Sequence, residues 1–298
     1  MSNRLRALWL PAAIALSLLT GCAAQMQPVA DFGASANHLA AAYKPFTKDL
    51  EDSCEQQQRY AALIASGDYD DGIVRRKAVD ICAQYKQAGA TAAALGDGVA
   101  AYAVALVKLS GAKATVFDSD IGDVSTKLGT MTHDGSPLIA ADDLSTATKV
   151  LRGVAQLVEE GKLQTLTRST LRDNQAALEV VVGAMKRYAD QVYDHQLTAT
   201  KGTLDGAHAT LVTASRAAPD ATPVLPWRLA QPALRAEIEA NTQAHDHVVA
   251  FDKAADALLK AHADLVDNFD TLTGVKRLKL VQEFIAKVQA IEADAAAL

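Results

Sequence analysis

The spacing of apolar residues is the feature that most constrains the fold of this chain. Over most of its 298 residues apolar side chains recur every three or four positions, and runs that alternate with a period of two are rare. Half of the residues are hydrophobic but only 5% are aromatic, and alanine, the strongest helix former, supplies most of the surplus. The pattern predicts an all-α protein, an elongated antiparallel bundle of about six closely packed helices.

Two apolar stripes flank a polar segment at 66–72 and predict a helical hairpin. The segment reads Ser-Gly-Asp-Tyr-Asp-Asp-Gly, with a glycine suited to end one helix and aspartates suited to begin the next. The predicted helices cover about 33–66, with Pro45 as a candidate bend, and about 70–110. Because each glycine costs about 1 kcal/mol relative to alanine, glycines inside the second helix predict close helix contact or a bend. They are Gly89, Gly96 and Gly98.

Cys54 and Cys82 are equally distant from position 68, the middle of that polar segment. In an antiparallel hairpin both would lie about 21 Å from the turn, at about 1.5 Å per residue, and both belong to the apolar stripes. Helix axes about 8–10 Å apart bring facing Cα atoms to the separation of about 4.4–6.8 Å that a disulfide requires. The sequence therefore predicts a structural Cys54–Cys82 disulfide. Neither cysteine belongs to a Cys-x-x-Cys motif, which argues against a redox or metal pair.

The remainder of the chain predicts four more helices and two irregular segments. The first irregular segment is a crossover at 111–139, which is rich in Gly, Asp, Ser and Thr. The second is a connector at 216–227, where Pro219, Pro223 and Pro226 exclude a regular helix interior. The predicted helices lie at about 142–160, 162–215, 228–268 and 274–298.

The N-terminal segment has the pattern of an export signal. Arg4 and Arg6 precede an apolar run over 7–19 that is too short to span a bilayer, and the run ends in Leu-Thr-Gly followed by Cys22. This arrangement resembles the signal sequence and lipobox of bacterial lipoproteins. The resemblance implies cleavage before Cys22 and lipidation of its thiol, including palmitate. The expected organisation is a signal peptide at 1–21, a lipidated tether at 22–32 and a bundle domain at 33–298.

The same resemblance implies a location. Ala23 and Ala24, rather than an aspartate, follow the cysteine, which in lipoproteins implies sorting to the outer membrane, with the periplasmic side favoured over the cell surface. Removal of residues 1–21 would take away two arginines and leave 27 basic against 35 acidic side chains, a net charge of −8. An acidic chain disfavours binding to nucleic acid and to anionic headgroups by charge. Membrane attachment would then depend on the acyl chains at Cys22, with no transmembrane helix.

No combination of residues in the sequence matches a known catalytic arrangement, so a non-enzymatic protein without a cofactor or metal is expected. Residues 118–123 resemble the start of an EF-hand loop, but the glycine is misplaced and the final glutamate is missing. Residues 110–113 match Ser-x-x-Lys without the companion motifs of penicillin-recognising enzymes. His245 and His247, two residues apart on a predicted helix, point about 200° apart and cannot share one metal. We expect them to be exposed.

Two sets of residues are candidate partner contacts. Trp227 lies in the connector, where it can anchor a partner or close the end of the bundle. Lys276, Arg277 and Lys279 begin the last helix and can face an anionic partner or form a solvated surface.

The functional prediction is a lipoprotein that acts as an interaction or envelope-maintenance module, with a protein partner in the cell envelope. The alternative is a binding protein that holds a small apolar molecule or cell-wall fragment in a cavity beside the glycines of the second helix.

Overall fold

Five helices are described in this computed structural model of the chain, and they pack together as a bundle. α1 is Leu10–Ile64 and α2 is Asp71–Leu109. α3 consists of Arg168–Tyr188, a π-helical turn at Ala189–Asp194 and His195–Ala217. α4 is Val224–Asn268 and α5 is Val275–Ala296. The all-α prediction is confirmed.

The structure describes the backbone at 10–65, 69–110, 132–133, 136–137, 153, 168–217, 224–269 and 275–296. Within these ranges it does not describe the side chains of 10–26, 132–133, 136–137, 168–169, 217, 224–228, 275–278, 280 and 292–296. Between α2 and α3, β1 (Thr132–His133) pairs antiparallel with β2 (Ser136–Pro137). Apart from these strands and residue 153, the predicted crossover at 111–139 and the predicted helix at 142–160 lie outside the described residues, so the sixth helix stays a prediction.

Contacts between distant residues show the direction of the helices. α3 runs parallel to α1, because the Tyr188 hydroxyl donates to the Phe46 carbonyl and, further along both helices, the Thr200 hydroxyl bonds with that of Ser53. α2 and α4 run in the opposite direction. The helices α1 to α4 therefore alternate in direction along the chain, as predicted for an antiparallel bundle.

α1 begins to pack earlier than the sequence predicted. Residues 27–32, expected in the tether at 22–32, are helical, and Val29 and Phe32 are fully buried. They extend the apolar stripe of α1 toward its N-terminus at three- and four-residue steps, and this explains their place in the core. The signal peptide at 1–21 and the lipidation of Cys22 lie outside the described residues and side chains.

α1 and α2 approach each other closely at glycines. A Cβ atom added to Gly89 would lie 2.0 Å from the Thr47 carbonyl oxygen, and one added to Gly96 would lie 3.2 Å from Tyr43 Cδ1. Of the two predicted alternatives, close helix contact or a bend, the structure shows close contact at Gly89 and Gly96. α2 is also apolar and long enough to cross a membrane, but 67% of its most apolar window is buried in the bundle. This burial accounts for its composition.

Aromatic rings fill the centre of the bundle. Phe46 of α1 contacts Tyr193 of α3 and Phe251 of α4, each with ring centroids 5.3 Å apart, and Phe251 also lies 5.3 Å from Tyr43. Aromatic pairs at this separation contribute about 0.5–1.5 kcal/mol beyond the area they bury. An aromatic cluster of the described residues therefore lies where three helices meet.

Two helices, α3 and α4, differ from the sequence-based prediction. α3, predicted as one helix over 162–215, contains the π turn at Ala189–Asp194, while the residues on either side of the turn keep right-handed helical dihedrals. α4 begins at Val224, so the last four residues of the connector predicted at 216–227 are helical. Pro226 falls in the first turn of α4, where its missing N–H breaks no intrahelical bond.

Candidate functional site

The first half of α2 is poorly covered by the rest of the protein. Among residues 71–86 only Ala78 and Cys82 are buried, whereas most residues from Gly89 onward are buried. Both buried residues face α1, whose last turns form the other arm of the hairpin. We name residues 51–64 of α1, together with residues 69–70 and residues 71–86 of α2, the hairpin end.

A disulfide links the two arms of the hairpin end. Cys54 and Cys82 are bonded, with their Cα atoms 5.8 Å apart, and both side chains are buried. This confirms the pairing and the register predicted from the sequence. With so few buried side chains in this part of α2, the covalent bond holds the arms together where packing contributes little.

The start of α2 is capped by the residues that the sequence indicated. The Asp70 carboxylate accepts a hydrogen bond from the Ile73 backbone N–H at 2.9 Å. Asp71 in the first turn forms an ion pair with Arg75 at 2.8 Å. A cap of this kind contributes about 1 kcal/mol, so α2 has a defined beginning although its outer surface is bare.

Large apolar side chains are exposed at the hairpin end. Ile73 and Ile81 of α2 are 45% and 51% exposed and lie two helical turns apart. Leu63, Tyr69 and Val79 are exposed to a similar degree. Ile73 and Ile81 flank a shallow groove of about 240 Å³ between α1 and α2. Its lining also includes Gln58, Ala62, Asp70, Val74, Lys77 and Ala78.

The opposite side of α1 at this level is polar and well bonded. The Ser53 and Thr200 hydroxyls lie 2.9 Å apart, and Gln196 donates to Gln57 at 3.0 Å and to Thr200 at 3.1 Å. Asn241 of α4 donates to the carbonyl of α3 residue Leu197. These buried bonds specify how α1, α3 and α4 align, because any shift would leave their polar groups unsatisfied.

A second groove, of about 400 Å³, lies where α1, α3 and α4 meet beside the π turn. Its polar lining is mainly acidic, with Asp49, Asp52, Glu55 and Glu237 against Arg59. Burial raises the pKa of the Asp49 carboxyl, and the charge of Asp52 adds to the effect. π turns are frequent at functional sites, and this one places Tyr193 in the lining. The groove can accept hydrogen bonds from a cationic group.

The histidines differ from expectation. His245 is half exposed and pairs with Asp194, but His247 is buried against Phe46, with ring centroids 5.1 Å apart. The prediction that both are exposed is wrong for His247, because its side of α4 packs onto α1. His262 is buried as well, and its Nε2 lies 2.8 Å from the Tyr102 hydroxyl. Burial lowers the pKa of His262 to about 4, so the imidazole is neutral at pH 7.

The predicted partner contacts are only partly described. Trp227, Lys276 and Arg277 lie in the first turns of α4 and α5, and their side chains are outside the description. Lys279 is exposed and forms an ion pair with Glu283 at 3.7 Å, one turn along α5. This placement is that of a solvated face, and nothing described brings Lys279 to the hairpin end.

The sequence motifs set aside earlier add no site. Residues 118–123 are outside the described residues, and so is most of the Ser-x-x-Lys element. Its Ser110 donates to the Val107 carbonyl at 2.6 Å as part of the C-terminus of α2. In the part of the chain that the structure describes, no group of three or more His, Cys, Asp or Glu residues could hold a metal ion. Comparison of the chain with protein-family models, curated proteins and solved structures found no match.

The hairpin-end surface was missed by the sequence reasoning, although a signal was present. In this part of α2 the apolar stripe at three- and four-residue steps runs through Val74, Ala78, Cys82 and Tyr85. Ile73, Val79 and Ile81 are large apolar residues that fall off this stripe. On a helix with one buried face, such residues are exposed, and their clustering indicates an interaction surface.

Proposed function

We propose that this protein is a non-enzymatic interaction module of the bacterial cell envelope, anchored to the outer membrane through lipid on Cys22. The lipobox that resembles those of lipoproteins supports the anchor and the location. The observation that carries the interaction role is the exposed apolar surface of the hairpin end, held in place by the Cys54–Cys82 disulfide. A rigid arm with exposed isoleucines is suited to bind another protein.

The closed core of the α1–α2 pair argues against the alternative of a small-ligand cavity beside the glycines. Backbone or aromatic atoms occupy the space that a Cβ would take at Gly33, Gly89 and Gly96. The helices therefore touch where the cavity would have to lie. The surface grooves lined by residues that the structure describes are shallow and open, unlike the enclosed pockets that bury most of a small molecule.

Photo-crosslinking in intact envelopes tests the interaction role. A photoreactive amino acid replaces Ile81 in one variant and Val249, an exposed apolar residue of α4, in the control. We expect a discrete protein adduct from position 81 and none from position 249. Adducts at neither position, or equal adducts at both, would contradict an interaction through the hairpin end.

Membrane fractionation and intact-mass measurement test the anchor separately. The processed protein should lack residues 1–21, carry acyl mass and sediment with the outer membrane. Cys22→Ala should abolish the acyl mass. An unmodified thiol at Cys22 in the native protein would end the lipoprotein assignment without affecting the crosslinking result.

A further inference from the structure

The groove at the hairpin end has a specific chemistry. On α2, Ile73, Lys77 and Ile81 follow one another at four-residue intervals and so form one stripe along the helix. The two isoleucines are about half exposed, and Lys77 between them is exposed too. Gln58 and Ala62 of α1 form the other wall. A surface of this kind offers two apolar contacts about 12 Å apart, at about 1.5 Å per residue, with a cation between them.

The α2 arm of the hairpin end is more basic than the chain as a whole and than the α1 arm, where residues 51–64 contain three acidic side chains and one basic one. Residues 70–86 contain four basic and three acidic side chains, a net charge of +1, whereas the chain carries −6. Two of the three carboxylates are engaged, since Asp70 caps α2 and Asp71 pairs with Arg75. Lys77 forms no ion pair with any residue that the structure describes. The groove therefore presents a cation that lacks a partner within the described bundle.

The inference that follows rests on the proposed interaction role. The observations above identify the chemistry of the partner. We infer that the groove between α1 and α2 binds an amphipathic helix of another envelope protein, with apolar side chains about two turns apart and a carboxylate between them. The apolar side chains lie against Ile73 and Ile81, and the carboxylate pairs with Lys77. This is the helix-in-groove mode of recognition, with charge complementarity setting which helix fits.

Two other occupants fit the surface less well. A second copy of this chain, paired through the same stripe by a two-fold axis, would place Lys77 against its own counterpart, and like charges oppose such a contact. An anionic bilayer would meet the tip of the hairpin rather than its side. At the tip Asp70 and Asp71 stand beside Tyr69, and the Tyr69 hydroxyl donates to Asp71 at 3.0 Å. Carboxylates at the leading edge are unfavourable against anionic headgroups.

The test uses the full processed chain in nanodiscs of zwitterionic phosphatidylcholine and two labelled helical peptides. The peptides share a leucine stripe and differ only in having Glu or Lys beside it. Fluorescence anisotropy, corrected with empty nanodiscs, should show at least about tenfold tighter binding of the Glu peptide. Lys77→Glu should reverse the preference. Lys253→Glu, at an exposed position of α4, is the matched control and should leave the preference unchanged.

Several results of these and related measurements would overturn the inference. Failure of the Glu peptide to bind, or equal binding of both peptides, would exclude a carboxylate-bearing helix. Ile73→Ser with Ile81→Ser should abolish binding, and retained binding would place the peptide elsewhere. A dimer in sedimentation equilibrium that is lost in Ile81→Ser would identify a second copy, and co-sedimentation with phosphatidylglycerol vesicles lost in Tyr69→Ser would identify a membrane. If crosslinking at position 81 succeeds while charge reversal has no effect, the interaction role stands and this inference fails.

Discussion

The two halves of α2 are held in the protein by different means. From Gly89 onward the helix lies in the aromatic core, with small residues that let its backbone touch α1. From Asp71 to Lys86 it touches the rest of the protein mainly through Ala78, Cys82 and the disulfide to Cys54. One helix thus combines a segment stabilised by burial with a segment stabilised by a covalent bond. The difference shows that a long helix can extend beyond its core and leave apolar side chains exposed for binding.

The largest effect that separates the halves should come from truncating the aromatic core. Phe46→Ala removes a ring that contacts Tyr43, Tyr193, His247 and Phe251. We expect a loss of about 3–5 kcal/mol in the free energy of unfolding, measured by urea denaturation.

Ile81→Ala is the matched truncation at the hairpin end. Because Ile81 is about half exposed, we expect a change within about 0.5 kcal/mol. Similar losses from both variants would mean that the hairpin end is packed as tightly as the core.

The second effect concerns the disulfide. Cys54→Ala with Cys82→Ala opens a loop with a sequence separation of 28, and the chain-entropy model gives a destabilisation of about 3–4 kcal/mol. Hydrogen exchange measured by mass spectrometry should show where the structure loosens. Amides of residues 71–86 should exchange faster, while those of 92–106, within the core, keep more of their protection.

Uniform loss of protection along α2 would contradict the division into two halves. Two free thiols in the native protein would remove the covalent explanation altogether.

The third effect concerns the close approach of α1 and α2 at Gly89, where the core half of α2 begins. Gly89→Ala places a Cβ against the Thr47 carbonyl, a backbone atom that cannot turn aside, and we expect a loss of about 3 kcal/mol. Gly202→Ala is the control, because no atom outside the α3 backbone lies within 4 Å of its added Cβ. At Gly202 the better helix propensity of alanine should raise stability by up to about 1 kcal/mol. Equal effects at the two glycines would show that propensity, and not contact, governs α2.

The hairpin illustrates how much the sequence could predict. The pairing of Cys54 with Cys82, the Asp70 cap and the contact at Gly89 all follow from helix geometry, since each depends on position along or around a helix. These features are local or involve two adjacent helices. Periodicity therefore determines them.

Features that depend on the packing of three helices could not be predicted in the same way. The burial of His247 and His262 depends on which face of α4 meets α1 and α2, and one helix alone does not determine that. The π turn at Ala189–Asp194 contains no glycine or proline that could have signalled it. The exposed groove is a different case, because Ile73 and Ile81 lie off the apolar stripe of α2 and the sequence therefore carried a signal for it.

The smallest of these effects is a pH dependence that should act on the core half of α2 alone. Burial lowers the pKa of His262 from about 6.5 to about 4 in the folded protein, beside Tyr102 of α2. Between these values the unfolded chain binds a proton that the folded protein does not, so stability falls as the pH drops through 6.5 toward 4. His262→Gln has no such proton to bind. The wild type should lose about 2 kcal/mol more than this variant between pH 7 and pH 5.

His195→Gln, which removes an imidazole at an exposed position of α3, is the control for the substitution itself. The comparison between variants is necessary because carboxylates throughout the protein also take up protons in this range, and they do so equally in all three proteins. Hydrogen exchange at pH 5 should then locate the loosening. Faster exchange around Tyr102, with residues 71–86 changed less, would follow from a core weakened at His262 and a hairpin end still held by its disulfide. The opposite distribution would mean that protonation acts on the hairpin end, and the core assignment of His262 would be wrong.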